Sequence, residues 1–242
     1  MTICINFERE QPAPPSAEGG SDAERALAAG DADFDSVVSY PDRCKRWGDG
    51  GYRGNCDGRL FLNLLLRYRP RTVADPMMGS GTTRDVVADF NRGAQQPIEY
   101  WGNDLRNGFD LETQPIPGRF DLVWIHPPYW NIVEYGNGAS DLSAARSYPE
   151  FLTRLTHCLK KCAAALNPGG RLAVLIADVR RRGTYFPLGR DVCNLAGEVG
   201  QLRSVIIKLQ HNCRSDRTTY GKLKDPRIRH EYCAIFKAPD LE

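Results

Sequence analysis

The sequence has no run of about 18 apolar residues, the length a membrane-spanning helix needs. Its N-terminus lacks the charged-then-apolar order of a secretory signal peptide. These two absences argue against an integral helical membrane protein and a secreted one, and predict a soluble, cytoplasmic chain with no membrane partner. The eight cysteines, at 4, 44, 56, 158, 162, 193, 213 and 233, include no CxxC pair, and no histidine stands at zinc spacing. Cys158 and Cys162 are four apart on an expected helix, so free thiols are expected and no metal site. The formal net charge is only +2, which by itself neither demands nor excludes nucleic acid.

What is present starts with size. At 242 residues and 41% hydrophobic, the chain can bury one full-sized core. Its charge is unevenly spread. Residues 1–35 hold eight acids against two arginines, a net of −6, and the remainder accordingly carries +8. That leader is rich in Pro, Ala and Gly, and reads as a disordered acidic tail. Residues 36–242 are expected to form a single domain, with 36–58 a loop-rich lobe of no clean period.

The chain is organised around residues 120–130, FDLVWIHPPYW. The apolar run 122–125 has the length of a buried parallel strand and leads straight into His126-Pro127-Pro128-Tyr129-Trp130. Neither proline has an N–H, so the backbone leaves the ladder with free carbonyls and an aromatic follows at once. Such an acceptor-rich shelf beside a stacking ring suits a flat heterocycle carrying an exocyclic amine. The plain alternative is a strand capped by a Pro-Pro turn.

Upstream stands TVADPMMGSGTT, residues 72–83, followed by a helical stretch over 84–91. Strand, Gly-rich turn and helix start make a place where backbone N–H groups can meet a cofactor, and Gly79 and Gly81 permit the close approach. The pattern is not GxGxxG. Residues 59–67 predict a packed helix and 98–103 a second strand. Asp104, just past that strand, suits the two ribose hydroxyls of a nucleoside cofactor, the plain alternative being a turn aspartate. Asp110 is a weaker candidate, near the adenine of such a cofactor or at the pocket floor. Residues 131–148 predict a loop able to face substrate, 148–166 an amphipathic helix ended by Asn167-Pro-Gly-Gly170, 171–176 a strand, 191–200 a helix, and 203–209 a strand. This alternation predicts a parallel α/β sheet. Residues 210–230 form a basic, turn-rich insertion in which Arg214, Arg217, Tyr220, Lys222, Lys224 and Arg227 suit phosphate and base contacts.

The DPMMGSGTT and HPPYW segments together resemble the amino-methyltransferases of the N6-adenine and N4-cytosine DNA type, whose catalytic motif is (Asp, Asn or Ser)-Pro-Pro-(Tyr, Phe or Trp). The likeness runs over roughly residues 40–239. Residues 52–56, YRGNC, are similar to the segment that closes over the methionine end of S-adenosylmethionine, and 229–237 to the family's last strand. The resemblance implies a Rossmann-like methyltransferase fold: a mostly parallel twisted sheet with helices on both faces and one antiparallel C-terminal strand. It implies S-adenosylmethionine held by Asn55, by Asp75, Met77, Gly79, Ser80, Gly81 and Thr82 of the turn, and by Asp104. It implies methyl transfer to the amine of adenine or cytosine in DNA, as in restriction-modification systems.

In that family the first motif residue and the following proline carbonyl accept the two amine hydrogens, and the base leaves its stack to enter the pocket, against Tyr129 and Trp130. This chain departs by carrying His126 first. A neutral imidazole offers one acceptor nitrogen and a protonated one offers none, so activity is expected to fall as pH drops through the pKa of His126. No large recognition domain is visible. Target choice would fall to the short insertions, to homodimerisation, or to a specificity or restriction partner. The rival readings are an RNA or other amide or amine methyltransferase of the same fold, and a cofactor- and nucleic-acid-binding protein without turnover.

Overall fold

The computed structural model describes residues 34–92, 94–136, 138–211 and 224–240. The expected tail therefore lies almost wholly outside the described residues. Among these, no helix is long and apolar enough to cross a membrane.

The strands are β1 (Val37–Ser39), β2 (Thr72–Asp75), β3 (Glu99–Gly102), β4 (Phe120–Ile125), β5 (Leu166–Ile176), β6 (Val179–Arg181), β7 (Thr184–Phe186), β8 (Gln201–Leu209) and β9 (His230–Lys237). The helices are α1 (Gly58–Tyr68), α2 (Thr82–Asn91), α3 (Tyr148–Ala164) and α4 (Leu188–Cys193). Seven strands form one sheet in the order β1-β8-β9-β5-β4-β2-β3, and β6 pairs only with β7. Every neighbour in the large sheet is parallel except across β9, which runs against both β5 and β8. That is the expected mixed sheet with a reversed last strand.

The period-2 side-chain alternation of the central strands explains why they read as continuous apolar runs. Leu122 and Trp124, Ala173 and Leu175, and Cys233 and Ile235 face the core under α1 and α2, with Leu60, Phe61, Leu64, Val86 and Val87. Val123 and Ile125, Leu172 and Val174, and Ala234 and Phe236 face the other core, with Phe151, Leu155, Leu159 and Cys162 of α3 and Leu188 and Val192 of α4. Helices thus cover both faces.

Helix ends follow local chemistry. Asp57 caps α1 by accepting from Arg59 N at 3.0 Å. The helix stops at Arg69, which is left-handed, before Pro70. Ser147 caps α3 through Glu150 N, and the Glu150 carboxylate reaches back to Arg146 N at 3.0 Å.

Three expectations need correcting, and one element was not expected. The helix over 148–166 ends at Ala164, and Asn167-Pro-Gly-Gly170 lies inside β5 rather than before it. Phe120 N donates to Ala165 O, Asn167 Nδ2 to Asp121 Oδ1, and Gly169 N to Pro239 O, so long-range partners hold the segment in the sheet. The helix over 191–200 is instead the short α4, which starts earlier, where Asp178 accepts from Gly189 N, and ends at Cys193, capped by Asn194, ahead of two positive-φ glycines. The lobe at 36–58 contributes an edge strand, β1. The β6–β7 hairpin has no counterpart in the sequence reading, because its alternation is too brief to mark a strand.

Candidate active site

β2, β4, β5 and β8 are mutually parallel, so the segments leaving them gather at one sheet edge. There a cleft of about 890 Å³, open mouth included, joins the glycine turn after β2 to the Pro-Pro shelf after β4. This is the switch-point location where open α/β sheets take ligands.

In the first half, Asp75 ends β2 only 2% exposed. Its carboxyl accepts from Thr83 Oγ1 at 2.5 Å and from Met77 N at 3.1 Å. Burial raises its pKa to about 7 against those two bonds. Gly79 is left-handed, and a Cβ there would lie 3.0 Å from the Tyr52 ring. Gly81, also at positive φ, caps α2 and is not part of the cleft wall. Met77, Gly79, Ser80, Thr82 and Asn55 do line it. Thr82 Oγ1 donates to Asn55 Oδ1, and Asn55 Nδ2 to Asp49 O at 2.7 Å, which fastens the 36–58 segment to the start of α2. Trp47 Nε1 and Gly48 N donate to Asp89 and Asp85 of the same helix.

Asp104 follows β3 and faces the cleft. Its carboxylate accepts from Asn107 N at 3.2 Å and from Arg106 at 3.1 Å. Arg106 also donates to Gly79 O and lies 4.7 Å over the Tyr52 ring, and Tyr52 meets Tyr135 at 5.9 Å. These three side chains, of which Tyr52 and Tyr135 fell within segments marked from sequence and Arg106 did not, bridge the cleft. Asp110, Glu112 and Asp141 complete a wall with five carboxyl groups against one guanidinium. Hydrogen bonds from Ser140 and from Glu112 N hold Asp110 below its usual pKa despite burial. Such a wall suits a ligand carrying positive charge and ribose hydroxyls.

In the second half, β4 delivers His126 and Pro128 to the cleft, while Pro127 is buried outside its wall. Tyr129 turns away from the cleft wall. Its hydroxyl lies 2.8 Å from His126 Nε2 and donates to Glu231 Oε1 at 2.6 Å. Glu231 is 7% exposed and accepts from Lys208 Nζ, 8% exposed, at 2.5 Å, the two facing each other across β8 and β9. Burial drives the His126 pKa down to about 4, with Glu231 opposing and Lys208 assisting. Burial also acts on Glu231 and Lys208, but their mutual attraction prevails, so Glu231 sits below and Lys208 above its ordinary value. Trp130 does not face the cleft. It is left-handed at φ 49°, donates from Nε1 to Ala145 O at 3.1 Å, and packs on Tyr148 and Phe186.

Of the nucleic-acid candidates, Arg214, Arg217, Tyr220 and Lys222 lie outside the described residues. Lys224 and Arg227 are exposed, on the connection between β8 and β9. The β6–β7 hairpin approaches that connection, with Arg180 reaching Pro226 O at 3.4 Å. Among the described residues no group of His, Cys, Asp and Glu could hold a metal ion, and Cys158 and Cys162 are free and buried. The residues that sequence reasoning missed, Lys208 and Glu231, left one signal. Each is the one Asp, Glu, Lys or Arg in an otherwise mostly apolar run, VIIKL and HEYCAIF.

No protein-family model matches the chain, and no curated protein does. Solved structures are similar to it. One is a provisionally named DNA modification methylase from Thermus thermophilus, complexed with S-adenosyl-L-methionine, at 26% identity over 54% of this chain and 50% of that one, TM-score 0.37. TrmN from Thermus thermophilus is 19% identical over 77% and 50%, TM-score 0.40. An S-adenosylmethionine-dependent methyltransferase from Clostridium acetobutylicum is 11% identical over 86% and 94%, TM-score 0.45. The chain spans about half the length of the first two. The strand order and the single reversed strand are those of the Rossmann-like methyltransferase fold.

Proposed function

We propose that this chain is an S-adenosylmethionine-dependent methyltransferase acting on the exocyclic amine of adenine or cytosine in DNA. The observation that carries the reading is one cleft with two chemically distinct ends. One is an acid-lined glycine turn and the other a shelf on which His126 and Pro128 line the wall. Residues fit the cofactor: Asp104 for its ribose, the backbone around Gly79 for close approach, and the carboxyl-rich wall for its cationic methionine end. When bound, the cofactor supplies an electrophilic methyl group.

The chain's own residues prepare the acceptor. The lone pair of an exocyclic amine is delocalised into the ring. Hydrogen bonds from the amine to the His126 ring nitrogen and to a backbone carbonyl of the Pro-Pro shelf would favour a pyramidal nitrogen with that lone pair directed into the cleft. His126 suits this because its depressed pKa keeps it neutral through the working pH range. Lys224 and Arg227, with Arg181 and Arg182 on the β6–β7 turn, are exposed cations on segments that leave the same sheet edge, and would meet the phosphates of a strand whose base is flipped into the cleft. Target choice is assigned to residues 131–148 and 210–230, alone or with a second copy or a specificity partner.

The test is incubation with methyl-labelled S-adenosylmethionine and unmethylated genomic DNA, followed by digestion and mass identification of nucleosides. Labelled deoxy-N6-methyladenosine or deoxy-N4-methylcytidine is expected. Label confined to RNA run in parallel would replace DNA by RNA, and cofactor binding with no label in either would overturn the catalytic reading.

A further inference from the structure

The buried chain Lys208–Glu231–Tyr129–His126 has a single allowed direction for its hydrogens. Lys208 is only a donor and ionised Glu231 only an acceptor. The Tyr129 hydroxyl has one hydrogen and spends it on Glu231 Oε1 at 2.6 Å. Its oxygen then has only lone pairs to offer the ring nitrogen 2.8 Å away, so His126 Nε2 must carry the proton in that contact. In a neutral imidazole this leaves Nδ1 bare. Nδ1 has no hydrogen bond among the described residues, and it is not one of the sealed unpartnered atoms, which are Asn131 Oδ1 and Arg180 Nε. His126 itself lines the cleft.

We propose that Tyr129 and Glu231, backed by Lys208, are positioning residues that lock His126 as the Nε2–H tautomer and thereby present Nδ1 as the acceptor for an amine hydrogen of the target base. The assignment of the acceptor rests on the function proposed above. The tautomer itself does not. It also gives the motif's tyrosine a task for its hydroxyl, which phenylalanine at that position could not perform. The buried charges of the last two strands acquire a reason for their burial beyond pairing with each other, since a buried ion pair alone contributes little net stability.

The groups facing His126 are Tyr129 on its own segment, Glu231 on β9 and Lys208 on β8. Cys56 and Tyr135, whose pKa values burial raises to about 12, lie behind Tyr129 and are neutral at assay pH. Protonation of the ring would convert Nδ1 from acceptor to donor, and every other member of the chain keeps its state from pH 5 to 8.

The experiment is long-range ¹H–¹⁵N correlation of the imidazoles in the full-length protein at pH 7, with His126 assigned by its loss in His126→Asn. The wild type is expected to show the Nε2–H tautomer at His126. Tyr129→Phe removes the acceptor. Glu231→Gln can donate to the tyrosine and so turn its hydroxyl toward the ring. Both should shift the ring toward Nδ1–H. Methyl transfer should fall about 100-fold in kcat, with binding of S-adenosylmethionine unchanged within about twofold. Because Glu231→Gln strands the Lys208 charge, the pair Lys208→Met with Glu231→Gln is measured beside it. An Nδ1–H tautomer in the wild type, or a wild-type tautomer retained in both Tyr129→Phe and the double variant, overturns the proposal. If the wild type methylates neither DNA nor RNA, the function reading falls, and the tautomer is still decided by the NMR arm.

Discussion

The two ends of the cleft are built by opposite means. At the glycine-turn end, the two carboxyls at the strand ends are held by near neighbours in sequence. Asp75 is held by Met77 and Thr83, and Asp104 by Arg106 and Asn107. At the shelf end, His126 is set by Tyr129 three residues on and then by Glu231, 102 positions beyond Tyr129, with Lys208 behind it. A local turn can specify a binding surface. Fixing which nitrogen of one imidazole carries a proton needs the register of two distant strands.

The largest separation of the two ends should come from kinetics. His126→Ala is expected to lower kcat by about 10²- to 10⁴-fold while cofactor affinity is preserved. Asn at the same place restores an acceptor oxygen, so His126→Asn should retain more activity than the alanine variant. Asp104→Asn should do the reverse, weakening cofactor affinity by roughly 10-fold and leaving kcat at saturation nearly intact. Isothermal titration with S-adenosylmethionine and initial rates measure both. A common loss of kcat in both variants would merge the two ends into one functional unit.

The ends should also titrate with opposite sign. Asp75 holds its proton more tightly folded than unfolded, from an ordinary 3.8 up to about 7. The native state binds the extra proton between those values, so this group makes stability fall as pH rises from about 4 to 7. His126 is depressed from 6.5 to about 4, the unfolded state binds the extra proton, and stability rises over about 4 to 6.5. Full effects would be on the order of 4 and 3 kcal/mol, so the wild type should be nearly level in the shared window. Asp75→Asn should expose the rising slope and His126→Asn the falling one, in urea unfolding of the free protein at pH 4.5, 5.5 and 6.5. Two variants with the same slope as wild type would refute the opposed titrations. The depressed His126 value also moves the acid limb of activity from the range of an ordinary histidine to near pH 4, so a level rate from pH 8 to 5.5 is now expected.

Legibility followed the same division. The sheet was readable because its strands are apolar runs buried on both faces, and the glycine turn because its motif is contiguous. Asn167–Gly170 was misread because Pro and Gly end helices by default, while partners at Phe120, Asp121 and Pro239 hold this stretch in the sheet. The foreshortened α4 depends on Asp178, eleven residues before Gly189. Arg106, Tyr52 and Tyr135 come from three separate segments, and nothing in the local sequence of any one points to the others.

Trp130 sharpens the boundary of the shelf end at the smallest expected effect. Motif logic puts an aromatic here beside the base, yet the indole is 9% exposed, donates to Ala145 O, and packs 4.9 Å from Phe186 and 5.7 Å from Tyr148. Phenylalanine would keep an aromatic ring and the same left-handed backbone, so strain cancels between the two proteins. What is lost is one buried hydrogen bond, leaving the Ala145 carbonyl without that donor, and part of the ring's packing. Trp130→Phe should therefore cost about 1–3 kcal/mol in unfolding free energy. KM for DNA and kcat should stay within about twofold, because no reacting group touches the ring. A rise in KM with unchanged stability would instead put Trp130 in the base pocket and extend the shelf end of the cleft past Tyr129.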